Sequence, residues 1–151
     1  MEGATLVKPL LLDLYCKAGG ATKGYQDAGF YVVGVDIEDQ PNYCGDEFYC
    51  ADALEVLGAR KVAHWLIEDF RVIHASPPCQ RFAEAGADRK LGEEHPDLLT
   101  PTRELLKQIG LPYVIENIPT APMPDGFLLC GSTFGLPIIR HRRFEVHPAM
   151  G

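Results

Sequence analysis

Short, nearly unbroken apolar runs alternate with amphipathic stretches along most of this 151-residue chain. Pro9-Leu-Leu-Leu-Asp-Leu-Tyr15 runs up to a glycine pair, Gly19-Gly20, and reads as a strand buried on both faces. Thr22 to Gly29 predicts a short amphipathic helix closed by Gly29, and Phe30-Tyr-Val-Val-Gly-Val-Asp36 a second buried strand ending on an acid. A third strand, Glu47-Phe-Tyr-Cys50, precedes Asp52. A helical pattern follows from Ala53 to Ile67, interrupted near Gly58, and Arg71-Val-Ile-His-Ala75 is a fourth strand. A polar stretch with Gly86, Gly92 and Pro96 is long enough to be a functional loop. Beyond it, Leu98 to Ile109 reads as a helix and Pro112-Tyr-Val-Ile-Glu116 as a fifth strand, with Phe127–Cys130 and Phe144–Val146 as candidate terminal strands. This alternation predicts an α/β fold, a doubly wound and mostly parallel sheet with right-handed crossovers, in one domain over residues 1–151.

No apolar run approaches the roughly 20 residues of a spanning helix, so no membrane partner is expected. The N-terminal apolar stretch, Pro9 to Leu14 with Asp13 inside it, is too short and too acidic for a secretory signal. Five cysteines without a C-x-x-C or a paired Cys/His spacing argue against structural zinc and a disulfide framework, and for reduced thiols in a cytoplasm. No metal is expected. The net charge of −7 argues against a general nucleic-acid coat. Its distribution is uneven: 6 basic against 12 acidic residues through Gln80, then 8 against 9, with Arg140-His-Arg-Arg143 together. An anionic partner should meet the C-terminal half.

In a sheet of this kind ligands bind beyond the carboxyl ends of the strands, and those ends carry the candidate chemistry. Gly19-Gly20 opens a helix after Asp13, and Asp36 ends the next strand, the layout of an adenosine-type cofactor site in which the second acid accepts from ribose hydroxyls. G-x-G-x-x-G is absent, which favours a cofactor without a pyrophosphate, such as S-adenosylmethionine. The competing reading is a plain strand-to-helix turn with Asp36 as a helix cap. Cys79 follows Pro77-Pro78, which stiffen its loop and present the thiol; a helix beginning after it would favour the thiolate. The other four cysteines read as small buried hydrophobes. Glu116-Asn117 ends an apolar strand, where a partly desolvated carboxylate could hold a proton for a ring nitrogen; an ordinary cap is the alternative. Arg140 and Arg142, two apart in an extended segment ahead of the last strand, suit joint binding of a phosphate or carbonyl oxygen, or form a solvated face.

In this order, Asp13-Leu-Tyr-Cys-Lys-Ala-Gly-Gly20, Ser76-Pro-Pro-Cys-Gln80, Glu116-Asn-Ile118 and Arg140-His-Arg142 resemble the cytosine-5 DNA methyltransferases, particularly their small bacteriophage-type members. The resemblance runs from about Leu10 to Val146 and implies a Rossmann-like methyltransferase fold. It implies that Asp13 and Tyr15, Cys16, Lys17, Ala18, Gly19 and Gly20 cradle S-adenosylmethionine. Asp36 would hold the ribose with Ile37 against the adenine, Asp52 with Ala53 would take the adenine amino group, and Pro78 would line the methionine end. It further implies that Cys79 is the nucleophile toward carbon 6 of cytosine, that Glu116 acts at N3, that Asn117 fixes the cysteine loop, and that Arg142 binds O2 beside Arg140. The base would be flipped out of the duplex and S-adenosylhomocysteine released.

Departures from the pattern bear on this reading. Lys17 stands where the family has glycine, Ile138 where it has glutamine, and the chain stops at Gly151, where family members continue into a target-recognition region and further motifs. A C-terminal segment or a second subunit would then supply the target-reading surface, and this acidic chain alone should bind duplex or single-stranded DNA weakly. The expected setting is the cytoplasm of a bacterial or phage-infected cell. Three other readings remain: a cofactor-binding module with little or no turnover, cytosine-5 methylation of RNA, and a cysteine hydrolase. The last lacks a base, since His74 lies in a strand and His141 in a basic run.

Overall fold

The structure is a computed structural model and describes residues 7–82 and 95–148. The long polar stretch predicted as a functional loop lies largely outside them. The chain divides into two compact units, residues 1–73 and 74–151.

In the first unit, β1 (Leu10–Leu14), β2 (Tyr31–Asp36) and β3 (Glu47–Cys50) lie parallel in the order β3-β2-β1, with Leu10 opposite Tyr31 and Asp36 opposite Cys50. The near-continuous apolar run of β1 is what burial on both faces requires: Leu11, Leu12 and Leu14 are all buried, as are Val32, Val33 and Val35 of β2. Between β1 and β2 runs α1 (Gly20–Asp27), and after β3 comes α2 (Ala53–Ala59). The helix expected over 53–67 stops at Ala59. Arg60 turns left-handed (φ 54°), and the chain folds back as β4 (Lys61–Val62) and β5 (Trp65–Leu66). The cause is tertiary. Trp65 Nε1 donates to Glu47 Oε2, and the same carboxylate accepts from the hydroxyls of Tyr31 and Tyr49, so this segment is drawn to the β2 and β3 strands. Strand β6 (Val72–Ala75) begins beside β1, where Arg71 N donates to Leu10 O.

The second unit holds the end of β6, then α3 (Leu99–Ile109), β7 (Tyr113–Asn117), β8 (Phe127–Cys130) and β9 (His141–His147). Asp97 starts α3 by accepting from the backbone N–H groups of Leu99 and Thr100. β9 lies between β7 and β8 and is antiparallel to both. It is longer than the predicted Phe144–Val146 and takes in His141, Arg142 and Arg143, because pairing with both neighbours keeps that basic stretch extended. Leu99, Leu106, Tyr113, Ile115 and Met123 are its buried apolar groups.

One buried ion pair joins helix to sheet in this unit. Arg103 of α3 meets Glu145 of β9 through both carboxylate oxygens, at 2.9 to 3.1 Å, and Tyr113 Oη donates to Glu145 Oε1. Burial, with Glu145 beside it, pushes the Tyr113 hydroxyl up to about 12. Removing one partner of such a pair strands the other charge. Arg103→Met is therefore expected to lower the unfolding free energy by about 3 kcal/mol in urea titrations, and the double variant with Glu145→Gln should recover part of that loss.

Candidate functional site

The residues singled out from the sequence fall into two sets, one in each unit. In the first unit they form the turn between β1 and α1. Tyr15 (φ 59°), Lys17 (φ 51°) and Gly19 (φ 94°) are all left-handed, a conformation that disfavours any side chain with a Cβ by about 1–2 kcal/mol. The turn is held where it is touched: Cys16 N donates to Val35 O, Gly19 N to Cys16 O, and Lys17 N to Asp36 Oδ2. Asp36 also accepts from Glu38 N, so its carboxylate caps the backbone on both sides of the β2 end. Ile37, next to it, is 69% exposed, and Lys17 reaches across to Glu38 at 3.9 Å. No side chain caps α1, and the Cβ position of Gly20 faces open space.

Several expected contact residues stand behind this surface rather than on it. Asp13 is buried and accepts from Thr22 Oγ1, which ties β1 to the first turn of α1. Sealed in this way, its carboxylate supports the turn and does not reach a ligand, which corrects its expected place among the cofactor contacts. Cys16 is buried as well, and burial together with Asp13 and Asp36 pushes its thiol up to about 12, so it stays protonated and inert. Ala53 is buried at the start of α2, and Asp52 caps that helix through Oδ1, accepting from Leu54 N and Glu55 N.

In the second unit, Asn117 is buried at the end of β7, and its Nδ2 donates to Pro77 O at 3.0 Å while its Oδ1 accepts from Ile118 N. That bond fastens the Pro77-Pro78-Cys79 segment, in which Pro78 and Cys79 are partly exposed. The element after Cys79 is a single 3-10 turn, Gln80–Phe82, with Phe82 N donating to Cys79 O. It is too short to act as the helix N-terminus expected there. Glu116 does not stand alone among apolar groups: its Oε1 lies 2.7 Å from Arg142 Nε. The strand period accounts for the pairing. Glu116 is opposite Phe144 and Asn117 opposite Arg143, so Glu116, Phe144 and Arg142 share one face and Asn117 and Arg143 the other. Arg143 accordingly serves as a brace, donating to the carbonyls of Pro119 and Gly126. Arg140 lies just outside β9 and is exposed. His74 is buried with Nε2 2.8 Å from Ser76 Oγ, and burial lowers it to about 4, which leaves it neutral and sealed.

The sequence reading does not single out Tyr43 and Cys44. Tyr43 packs against Gly34 in the middle of β2, where an added Cβ would come within 2.4 Å of the ring. A glycine inside a buried strand is the signal that another group approaches there. Among the described residues no helix is long and apolar enough to cross a membrane.

The sequence model of the C-5 cytosine-specific DNA methylases matches residues 10–121. The chain is similar to the Type II methyltransferase M.XorII of Xanthomonas oryzae pv. oryzae, with 26% identity over 92% of this chain, and it spans 31% of that protein's length. Among solved structures it is similar to the Dnmt2 methyltransferase of S. pombe, at TM-score 0.59 and 18% identity, covering 93% of this chain and 49% of the other. It is also similar to the Entamoeba histolytica methyltransferase EhMeth, at TM-score 0.60 and 12% identity, covering 96% and 54%. Such identities carry the fold, which is a Rossmann-like α/β fold with a mostly parallel sheet.

Two outcomes follow from this geometry. Lys17→Gly removes a left-handed side chain but adds freedom to the unfolded chain, so it should raise the unfolding free energy by up to about 1 kcal/mol, measured in urea. His74 binds its proton more weakly folded than unfolded, so stability is full above pH 6.5 and falls as pH drops toward 4. Between pH 7 and 4.5 the chain should lose about 2–3 kcal/mol more than a His74→Gln variant does over the same interval.

Proposed function

Because the chain belongs to the C-5 cytosine-specific DNA methylase family, we propose that it transfers a methyl group from S-adenosylmethionine to carbon 5 of cytosine in DNA, through a covalent bond from Cys79 to a base taken out of the helix. What supports this most is the pairing register of β7 and β9. It sets Glu116 against Arg142 on one face while Asn117, on the other, holds the loop of Cys79 through Pro77 O.

The turn in the first unit suits S-adenosylmethionine. The uncapped start of α1 beside open space at Gly20 offers N–H groups to a carboxylate. Asp36 stands at the β2 end for ribose hydroxyls, exposed Ile37 offers an apolar face for adenine, and the second oxygen of Asp52 would accept from its amino group. Tyr15 and Ala18 shape the turn, and Pro78 would face the methionine end. When bound, this group supplies a methyl on a sulfonium, the electrophile that carbon 5 takes up.

The residues of the second unit supply the activation. Carbon 5 of cytosine is too weakly nucleophilic to take a methyl unaided, and addition of the Cys79 thiolate at carbon 6 turns the ring into an enamine. Glu116 faces N3 and stabilises the charge that develops there. Arg142 orients Glu116 through Nε and presents its remaining N–H groups to O2, with Arg140 beside it. Loss of the carbon 5 proton and departure of Cys79 restore the ring. The base must leave the stack for any of this, at a cost of a few kcal/mol. An acidic chain that spans 31% of its relative has little binding energy to meet that cost, so a further segment or subunit would carry target reading.

DNA containing 5-fluorocytosine tests the assignment, because fluorine cannot leave as the proton does. Wild-type chain with S-adenosylmethionine should give a covalent adduct that survives denaturing electrophoresis, faster on single strands and mismatched duplexes than on matched duplex. An adduct that persists in Cys79→Ala would overturn the role of Cys79.

A further inference from the structure

Residues Tyr43 and Cys44, on the connection between β2 and β3, lie against the same strained turn from the side opposite its open face. Cys44 N donates to Ala18 O at 3.2 Å, and Cys44 Sγ donates to Gly19 O at 3.2 Å. A Cβ on Gly19 would come within 2.7 Å of that sulfur and 3.2 Å of the Tyr43 ring. The ring itself fills the space above Gly34 and Gly45, neither of which leaves room for a side chain. Its Oη lies 3.1 Å from Thr22 Oγ1, which donates to buried Asp13. Tyr43 is thus locked to β1, β2 and α1 at once, and burial raises its hydroxyl well above the ordinary tyrosine value, so it remains protonated.

We propose that Tyr43 and Cys44 are positioning residues for the adenosyl cofactor, a role that rests on the reading of the first-unit turn given above. The physical link is peptide planarity. A carbonyl and the N–H of the same trans peptide point in opposite directions, so pinning Gly19 O toward Cys44 turns Gly20 N–H away from it, toward the open side. The pin on Ala18 O sets the preceding peptide in the same way. Tyr15 and Lys17 are side-chain-bearing residues held left-handed within this turn, and strained positions persist only where surrounding contacts over-determine them. The Tyr43–Cys44 contacts supply part of that constraint. They keep the donor edge of the turn in binding geometry before the cofactor arrives.

Calorimetric titration with S-adenosylhomocysteine tests this on the full chain. Cys44→Ala and Tyr43→Phe should each weaken binding about 2- to 10-fold, the range for losing one neutral hydrogen bond. Cys44→Ser should regain part of the loss, because its hydroxyl can donate to Gly19 O. Thermal unfolding of the same variants separates positioning from folding: affinity should fall while the midpoint stays within about 4 °C of wild type. Unchanged affinity in both variants would overturn the role of Tyr43 and Cys44 while leaving the cofactor reading intact. Affinity that falls only in step with the unfolding midpoint, with no recovery in Cys44→Ser, would overturn it as well. Absence of binding by the wild-type chain would overturn the cofactor reading itself, and this role with it.

Discussion

A polar side chain buried in a protein must find its hydrogen-bonding partner inside the fold, or the fold bears the full penalty of desolvating it. Among the described residues no buried side-chain nitrogen or oxygen lacks such a partner. In each unit this requirement decides where the strand ends lead. Asp13 is satisfied by Thr22, which fixes how α1 leaves β1, and Asp36 is satisfied by the backbone of Lys17 and Glu38, which bends the turn over the end of β2. Asn117 finds Pro77 O, and Glu145 finds Arg103 and Tyr113. Each of these polar groups stands at a point where one element has to be held to another, so meeting its demand also sets local geometry.

The two sets of candidate residues use this constraint differently. In the first unit the polar contacts store strain. Two residues with side chains sit left-handed because Asp36, Val35 and Cys44 leave the backbone no better arrangement. The result is a rigid turn whose outer face is shaped for a ligand and whose inner face is sealed by a neutral thiol and two buried acids. In the second unit strain is absent from the argument and register does the placing. Antiparallel pairing of β7 with β9 sorts Arg142 and Arg143, adjacent in sequence, to opposite faces. One meets Glu116 and is available for chemistry, whereas the other is consumed in bracing the 119–126 loop.

Much of the architecture was legible from the order of residues. The apolar runs of β1 and β2, the helix beginning near Leu98 and the strand ending at Glu116-Asn117 follow from local pattern, since burial on both faces demands continuous apolar sequence and helices demand their own period. The motif-bearing residues were legible for the same reason: Gly19, Asp36, Cys79 and Glu116 occupy strand ends, and strand ends are visible in a hydrophobic pattern. The failures share a cause too. The helix expected to continue through Ile67 stops at Ala59 because Trp65 has a partner on β3, far away in sequence.

Local chemistry therefore determined which residue types stand where strands end, and with them the class of fold and reaction. Pairing across the chain decided the rest. That Asp13 supports and does not bind, that Glu116 is coupled to Arg142, that Arg143 is structural, and that Tyr43 and Cys44 brace a turn about twenty-five residues earlier all depend on contacts between distant segments. A side chain's role is set by its neighbours in space, and a linear sequence names only its neighbours along the chain.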